Sequence, residues 1–276
     1  MRTLPILVVA LIVLSTASQT RADLSSGLVV HYSFDGNADD ASGNGHNGTV
    51  YGATLTADQF GNPCSAYSFD GLDDYINVPY SEEFQTSSYT LAAWIRFKGD
   101  LSSGRGGAIV AGRGEDFSTD RGWSWLSIGA KDDPWGAGLR VLYETDADTD
   151  IAYSTGIFPE TDTWTHVAAS RSTEGEITIY LDGIVIGNWT STPAPTVICD
   201  QDFSIGARWT SPSLAPPYNL AGYFPGSLDE IRLYERALTN TEIQELALVP
   251  LPGAVLLGSI GLGLSAWLCK RRQRNA

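Results

Sequence analysis

A chain of 276 residues with 32 Asp and Glu against 17 Lys and Arg carries a formal net charge of −15. Every acidic residue lies between Asp23 and Val249, a stretch with only 11 basic residues and a net charge of −21, whereas both ends are purely basic. Such a middle segment repels phosphate backbones and anionic lipid, which excludes nucleic-acid binding; it suits divalent cations, or simply solubility.

The first 22 residues read as an export signal. Arg2 is followed by the apolar run "LPILVVALIVLSTA" (Leu4 to Ala17), then by "TRA" ending in the small residue Ala22. The apolar run is shorter than the roughly 20 residues of a membrane span, so a signal peptide over 1–22, helical in the membrane and cleaved after Ala22, is predicted. Export implies an oxidising compartment. Cys64 and Cys199, the two cysteines of the acidic segment, are then candidates for one disulfide bond, although nothing local specifies the pairing. Neither CxxC nor HxxxH spacing occurs, which speaks against zinc or haem.

From Leu24 to Leu248, short β-branched and aromatic runs alternate with Gly, Ser, Thr and Asp. In chain order these include "LVVHYSF", "SAYSFDG", "YINVP", "YTLAAWIRF", "AIVAG", "SWLSIG", "LRVLYE", "WTHVAAS", "EITIYLDG", "IVIGNW", "FSIGAR" and "LDEIRLYE". This predicts one all-β domain, a sandwich or barrel. The repeated "YSFDG" reads as two strands that end alike, with inward aromatics and an Asp-Gly turn. The long Trp- and Gly-rich stretch from Gly99 to Gly138 reads as an elaborated loop. "WTHVAASRSTEGEITIYLDGIVIGNW" predicts a three-strand meander, turning at Thr173 to Gly175 and again at Asp182-Gly183. Trp94 and Trp164, inside strands, are assigned to the core. Thr239 and Glu242 have capping-box spacing and open the one predicted helix, "TEIQELAL".

Four segments carry a family resemblance, in order: "LVVHYSFDGNADDASGNGHNGTVYG", "AYSFDGLDDYINVP", "YTLAAWIRF" with the later "WTHVAASR…ITIYLDGIVIG", and "FPGSLDEIRLYERALTNTEIQEL". They resemble the LamG-like (laminin-G-like) jelly-roll family of the concanavalin A-like lectin/glucanase superfamily. The resemblance implies a jelly-roll β-sandwich of two antiparallel sheets over residues 24–248.

Catalysis finds little support in these residues. Glycoside hydrolysis needs two carboxylates about 5–10 Å apart. Glucan hydrolases of this superfamily present them on an E-x-D-x-x-E strand, which is missing; Glu174 and Glu176 sit at a turn, and "LDEIRLYE" has other spacing. His31, His46 and His166 have no GxSxG elbow to serve and read as structural. Calcium is better matched. "DGNADDASGNG" offers Asp35, Asn37, Asp39, Asp40 and Asn44 as oxygen ligands. The resemblance implies an ion bridging this loop and Asp229 of the closing strand, so Asp35, Asn37, Asp40 and Asp229 are the expected ligands of a structural calcium. Asp73 and Asp74 resemble the pair that opens the calcium site of pentraxins, but Arg208 stands where a further acid is wanted. Trp123, Trp125, Trp135 and Trp209, with Tyr218 and Tyr223, lie in loop-like surroundings where sugar rings can stack. The reading is a noncatalytic binding or adhesion module recognising glycan or protein. The alternatives are a secreted carbohydrate-active enzyme with an unrecognised site, or a purely structural surface protein.

The chain ends in Val249, Pro250, Leu251, Pro252, the 17-residue apolar run Gly253–Cys269 and a basic tail beginning "KRR". About 25 Å of helix, at 1.5 Å per residue, is near the short limit for a membrane span. The basic tail places the acidic domain outside the cytoplasm. The arrangement over 249–276 resembles PEP-CTERM sorting signals in their "VPLP" variant, without the usual Glu. It implies an exosortase-type processing enzyme as partner, at least transient membrane insertion, and an address in the cell envelope, on the surface or in the matrix of a Gram-negative-type bacterium.

Overall fold

Short runs of β-formers become seventeen strands and one helix among the described residues. The computed structural model describes residues 23–99, 101, 107–113, 124–134, 136–145, 149–191, 201–209 and 220–248. The predicted signal peptide, sorting motif and membrane helix lie outside these residues. Among the described residues, no helix is long and apolar enough to cross a membrane.

The chain opens with β1 (Leu28–Tyr32), β2 (Thr49–Tyr51), β3 (Thr54–Thr56), β4 (Ala66–Asp70) and β5 (Tyr75–Val78). A 3-10 turn at Glu82–Phe84 leads into β6 (Tyr89–Phe97). Next come β7 (Ala108–Arg113), β8 (Ser124–Gly129), β9 (Gly138–Thr145) and β10 (Thr149–Ser154). The meander is β11 (Trp164–Arg171), β12 (Glu176–Leu181) and β13 (Ile184–Thr190). The chain closes with β14 (Phe203–Ile205), β15 (Arg208–Trp209), β16 (Leu220–Ala221), β17 (Pro225–Tyr234) and α1 (Asn240–Ala247).

Two large antiparallel sheets result. The first runs β13-β12-β11-β6-β17-β4-β3, with β1 also paired to β17; the second runs β10-β9-β8-β7-β14-β5-β2. Neighbours distant in sequence, such as β6 between β11 and β17, give the crossovers of a jelly roll. Alternation decides which side chains meet between the sheets. On β6, Leu91, Ala93, Ile95 and Phe97 point inward and join Val167, Ala169, Leu228 and Ile231. From the second sheet come Ile76, Val78, Val110, Leu126, Ile128, Phe203 and Ile205. Each large aliphatic or Phe buried here contributes about 1.5–3 kcal/mol.

The outer face of the first sheet is partly apolar, and α1 covers that part. Ile243 and Leu246 of the helix pack with Ala92, Ala168, Tyr180, Tyr234 and Leu238. The capping box is formed: the Glu242 N–H donates to the Thr239 hydroxyl, and the Thr239 N–H to the Glu242 carboxylate at 2.7 Å. Arg236 also bonds Glu242, drawing its carboxyl down to about 2. A cap of this kind stabilises by about 1 kcal/mol. The hairpin turn at Asp182 and Gly183 has φ of 49° and 76°. A side chain at Gly183 would stand 3.2 Å from Gln244 Cα, so glycine lets this turn tuck under α1.

Two expectations are adjusted. The Gly99–Gly138 stretch supplies β7 and β8, the middle of the second sheet, rather than loop alone. Trp164 is half-buried, because it starts β11 with a face still open. Trp94 is buried as expected, at 6% exposure, on the outer side of the sheet and edge-on to His166 at 5.6 Å between centroids. The repeated "YSFDG" is structural: Tyr32, Phe34, Tyr67 and Phe69 are all buried, and Phe34 meets Tyr67 edge-on at 5.0 Å.

Candidate functional site

The first candidate lies where the two ends of the domain meet. In its pairing with β6, β17 has a bulge between Asp229 and Arg232, and Glu230 there takes a left-handed φ of 52°. Bulges re-aim side chains. Glu230 turns to His31, 2.8 Å away, and to Arg232. Asp229 is left buried, at 2% exposure. Burial pushes its carboxyl up to about 9; the negative charges of Glu230, Asp58 and Asp35 add to the rise, against one hydrogen bond from the Glu230 N–H.

The expected calcium ligands divide. Asp35 faces Asp229 electrostatically. Asp40 spends its oxygens on the opening loop, accepting from the N–H groups of His31, Ser42 and His46 and from the Ser42 hydroxyl. Burial opposes its charge, but these bonds outweigh burial and hold its carboxyl below the usual range. Asn37 is engaged with Asp39. Asp58, which sequence reasoning missed, takes their place beside Asp229. It is 8% exposed and accepts from the Phe60 and Asn62 N–H groups and the Asn62 amide. A buried carboxyl among acids offers the hard oxygen donors that calcium takes, but among the described residues the acids whose oxygens lie within 4.8 Å of one another are Asp70, Asp73 and Asp74, so Asp35 and Asp58 reach Asp229 through their charge and not as a preformed ligand cage.

The second candidate is the outer face of the second sheet at its β2 edge. Ile76 and Val78 point inward, so Tyr75 and Asn77 point outward. Tyr51 is directly opposite Tyr75, and the two rings stack at 4.6 Å with planes 8° apart. Tyr51 is 45% exposed. Burial raises the Tyr75 hydroxyl above its ordinary value, with Tyr51 and Tyr223 as neighbours adding to the shift. Burial raises Tyr223 likewise, helped by the charges of Asp73 and Asp70. Carboxylate oxygens of Asp70, Asp73 and Asp74 lie within 4.8 Å of one another. Burial first, then Asp70 and Asp73, raises the Asp74 carboxyl, while the Asp70 N–H bonds it at 2.8 Å. Flat aromatic surface and carboxylates side by side can stack a sugar ring and bind its hydroxyls.

Toward the other edge of the same sheet, Arg140 is fully buried. It bonds Ser127 Oγ at 3.2 Å, the Gly136 carbonyl at 2.8 Å and Asp133 at 3.0 Å. This guanidinium fastens the connection between β8 and β9, which carries Trp135.

A laminin-G-type family model, of the concanavalin A-like lectin/glucanases superfamily, matches residues 69–244. The chain belongs to this superfamily. Solved structures resemble the fold. Domain 4 of a GH43 extracellular arabinanase from Geobacillus stearothermophilus, solved with arabinotriose, is 22% identical at a TM-score of 0.62, over 81% of this chain and 99% of that one. The binding domain of Paraclostridial Mosquitocidal Protein 1 is 16% identical at 0.59, over 80% and 52%. The botulinum neurotoxin serotype D binding domain is 12% identical at 0.54, over 84% and 53%. This chain spans about half the length of the two toxin domains. A search of curated proteins gives no match.

On this concanavalin A-like frame, the other sequence-derived sites fall as follows. Trp123 and Trp135 lie outside the described residues; Trp125 is in β8 and Trp209 in β15, with side chains outside the description. Tyr223 is the loop aromatic that reaches a described cluster. Cys64 is buried and Cys199 lies outside the described residues. His46 meets Glu83 at 2.7 Å. His166 is 1% exposed, and burial first, then Arg232, drives its ring down to about 3. Arg208 is buried in β15.

Proposed function

We propose that this protein is an exported, noncatalytic glycan-binding module. The observation that carries the reading is the stacked Tyr51–Tyr75 pair, its Tyr51 ring exposed, beside Tyr223 and the Asp70, Asp73 and Asp74 carboxylates. A structure of the same fold was solved with arabinotriose, and others are toxin binding domains, which favours binding as the use of this frame. The histidines support a noncatalytic role: His31 and His46 hold glutamates, and His166 is shut in and uncharged.

Asp229, with Asp58 and Asp35 drawn in toward it, would hold a structural calcium ion that neutralises these acids and ties the opening loops to β17. The signal peptide would deliver the domain through the membrane. The "VPLP" segment, apolar run and basic tail would be read by an exosortase-type enzyme and place the domain in the envelope or matrix of a Gram-negative-type bacterium. The test pairs a glycan array with a turnover assay on the array's hits. Binding without product release is expected; product release lost on changing one carboxylate would establish the enzyme reading instead.

A further inference from the structure

A second polar site lies on the opposite face of the molecule, beside α1. One register row crosses four strands of the first sheet: Thr90 on β6 faces Ser170 on β11, Ser170 faces Thr178 on β12, and Thr178 faces Asn188 on β13. On β6 and β11, residues 91 and 169 point into the core, so this row points outward. The segment leading to α1 covers only its first member. Thr90 Oγ1 donates to the Arg236 carbonyl at 2.9 Å and accepts from the Leu238 N–H at 2.8 Å. Beyond that crossing the row floors a cavity of about 220 Å³.

The groups around the cavity keep hydrogen-bonding capacity that their neighbours do not use up. The Tyr180 hydroxyl donates to Asn240 Oδ1 at 2.9 Å, which leaves the Asn240 amide N–H groups directed elsewhere. The Asn188 amide donates to Glu176 at 2.7 Å and to Thr178 at 3.1 Å, which leaves its own carbonyl oxygen as an acceptor. The Ser170 hydroxyl stands on the floor of the cavity, the residue being 5% exposed. Ser170, Thr178 and Tyr180 form a buried floor, while Glu176, Asn188 and Asn240 form an exposed rim, so the cavity opens to solvent. The cavity thus offers donors (Asn240, Ser170) and acceptors (Asn188, Glu176) together, and among the described residues no cationic side chain lines it.

That chemistry selects the ligand. An apolar ligand would strand the floor hydroxyls. An anion would meet Glu176 and a chain of net charge −15. A divalent cation would find one carboxylate where it needs several. A neutral ring of hydroxyls, each both donor and acceptor, satisfies all of the groups. The volume lies below the roughly 300–1,000 Å³ of drug-sized ligand sites, which suits one ring rather than a chain. We infer that this groove is a subsite for a single neutral sugar residue, formed by Ser170, Thr178, Asn188, Glu176 and Asn240. The inference rests on the glycan-binding reading for its ligand class, but not on the tyrosine pair, which lies on the other sheet.

The experiment is saturation-transfer NMR on the purified full chain, with L-arabinose, D-xylose, D-glucose, D-galactose and D-mannose as probes. Wild type, Ser170→Val, Asn188→Ala and the double variant Tyr51→Ala/Tyr75→Ala are compared, each checked by thermal melt. Transfer to at least one sugar is expected, weakened roughly two- to ten-fold by each groove variant, as for one lost hydrogen bond. Transfer unchanged in Ser170→Val and Asn188→Ala but lost in the tyrosine variant would overturn the groove and leave the glycan reading standing. No transfer to any of the five sugars would overturn both. If Ser170→Val does not fold, Asn188→Ala and Glu176→Gln, both at solvent-facing positions, decide the matter.

Discussion

Asp229→Asn separates a calcium corner from a merely buried acid. Without a cation, the native carboxyl is already neutral at pH 7, since burial among Glu230, Asp58 and Asp35 holds it near 9. Asn has nearly the same shape and no charge, so in chelator the variant melts close to wild type, within about 1.5 kcal/mol. Calcium changes the comparison. An ion at 100 times its Kd stabilises the native state by about 2.7 kcal/mol. For a domain of this size each kcal/mol moves Tm by about 2–4 °C, so wild type gains about 5–11 °C. The variant lacks the deepest anionic ligand and gains a small fraction of this. Tryptophan fluorescence melts in EDTA and in calcium chloride read all four values. A wild-type Tm indifferent to chelator, or an Asn variant that keeps the full calcium shift, refutes the reasoning.

The buried His166 sets an acid limit on stability. Its pKa falls from an ordinary value near 6.5 to about 3, so between these limits the unfolded chain binds one more proton and stability drops as pH falls. By pH 5 the loss is about 2 kcal/mol, and His166→Phe, which keeps a ring against Trp94, removes it; equal Tm differences between pH 7 and pH 5 in both proteins would contradict this. Asp133→Ala strands the buried Arg140 charge and costs about 3–5 kcal/mol, while Asp133→Ala/Arg140→Met recovers part of the loss; a single-variant cost below 1 kcal/mol in denaturant titration would show the pair to be weak. Peptide mapping by mass spectrometry of the mature protein is expected to show an N-terminus at Asp23, a C-terminus near Val249 and, without reductant, a Cys64–Cys199 linked pair. Alkylation of both thiols by iodoacetamide in unreduced protein would exclude that pair.

The fold was legible because alternation and turn chemistry act locally. The Asp182-Gly183 turn and the Thr239–Glu242 box are fixed by residues within four positions of each other, and both form as their spacing predicts. Sites assembled across the chain were less legible. Asp58 comes within electrostatic reach of Asp229 through the placing of β17 between β6 and β4, a pairing that no local pattern encodes. Asp40 looked like a ligand because Asp-rich loops bind calcium, yet such loops also consume carboxylates in binding their own N–H groups. The signal for Tyr51 and Tyr75 was present: "TVYG" and "DYINV" place each tyrosine opposite in phase to a core Val or Ile. What could not be read was that β2 pairs with β5 and so stacks the two rings.

The central claim is glycan recognition at the Tyr51–Tyr75 platform. Calorimetric titration of the strongest glycan-array hit into wild type and Tyr51→Ala/Tyr75→Ala tests it most directly. Loss of an aromatic anchor is worth at least about 2 kcal/mol, so the variant is predicted to bind roughly 30-fold more weakly while keeping its Tm within a few degrees. Equal affinity in the two proteins would contradict the claim.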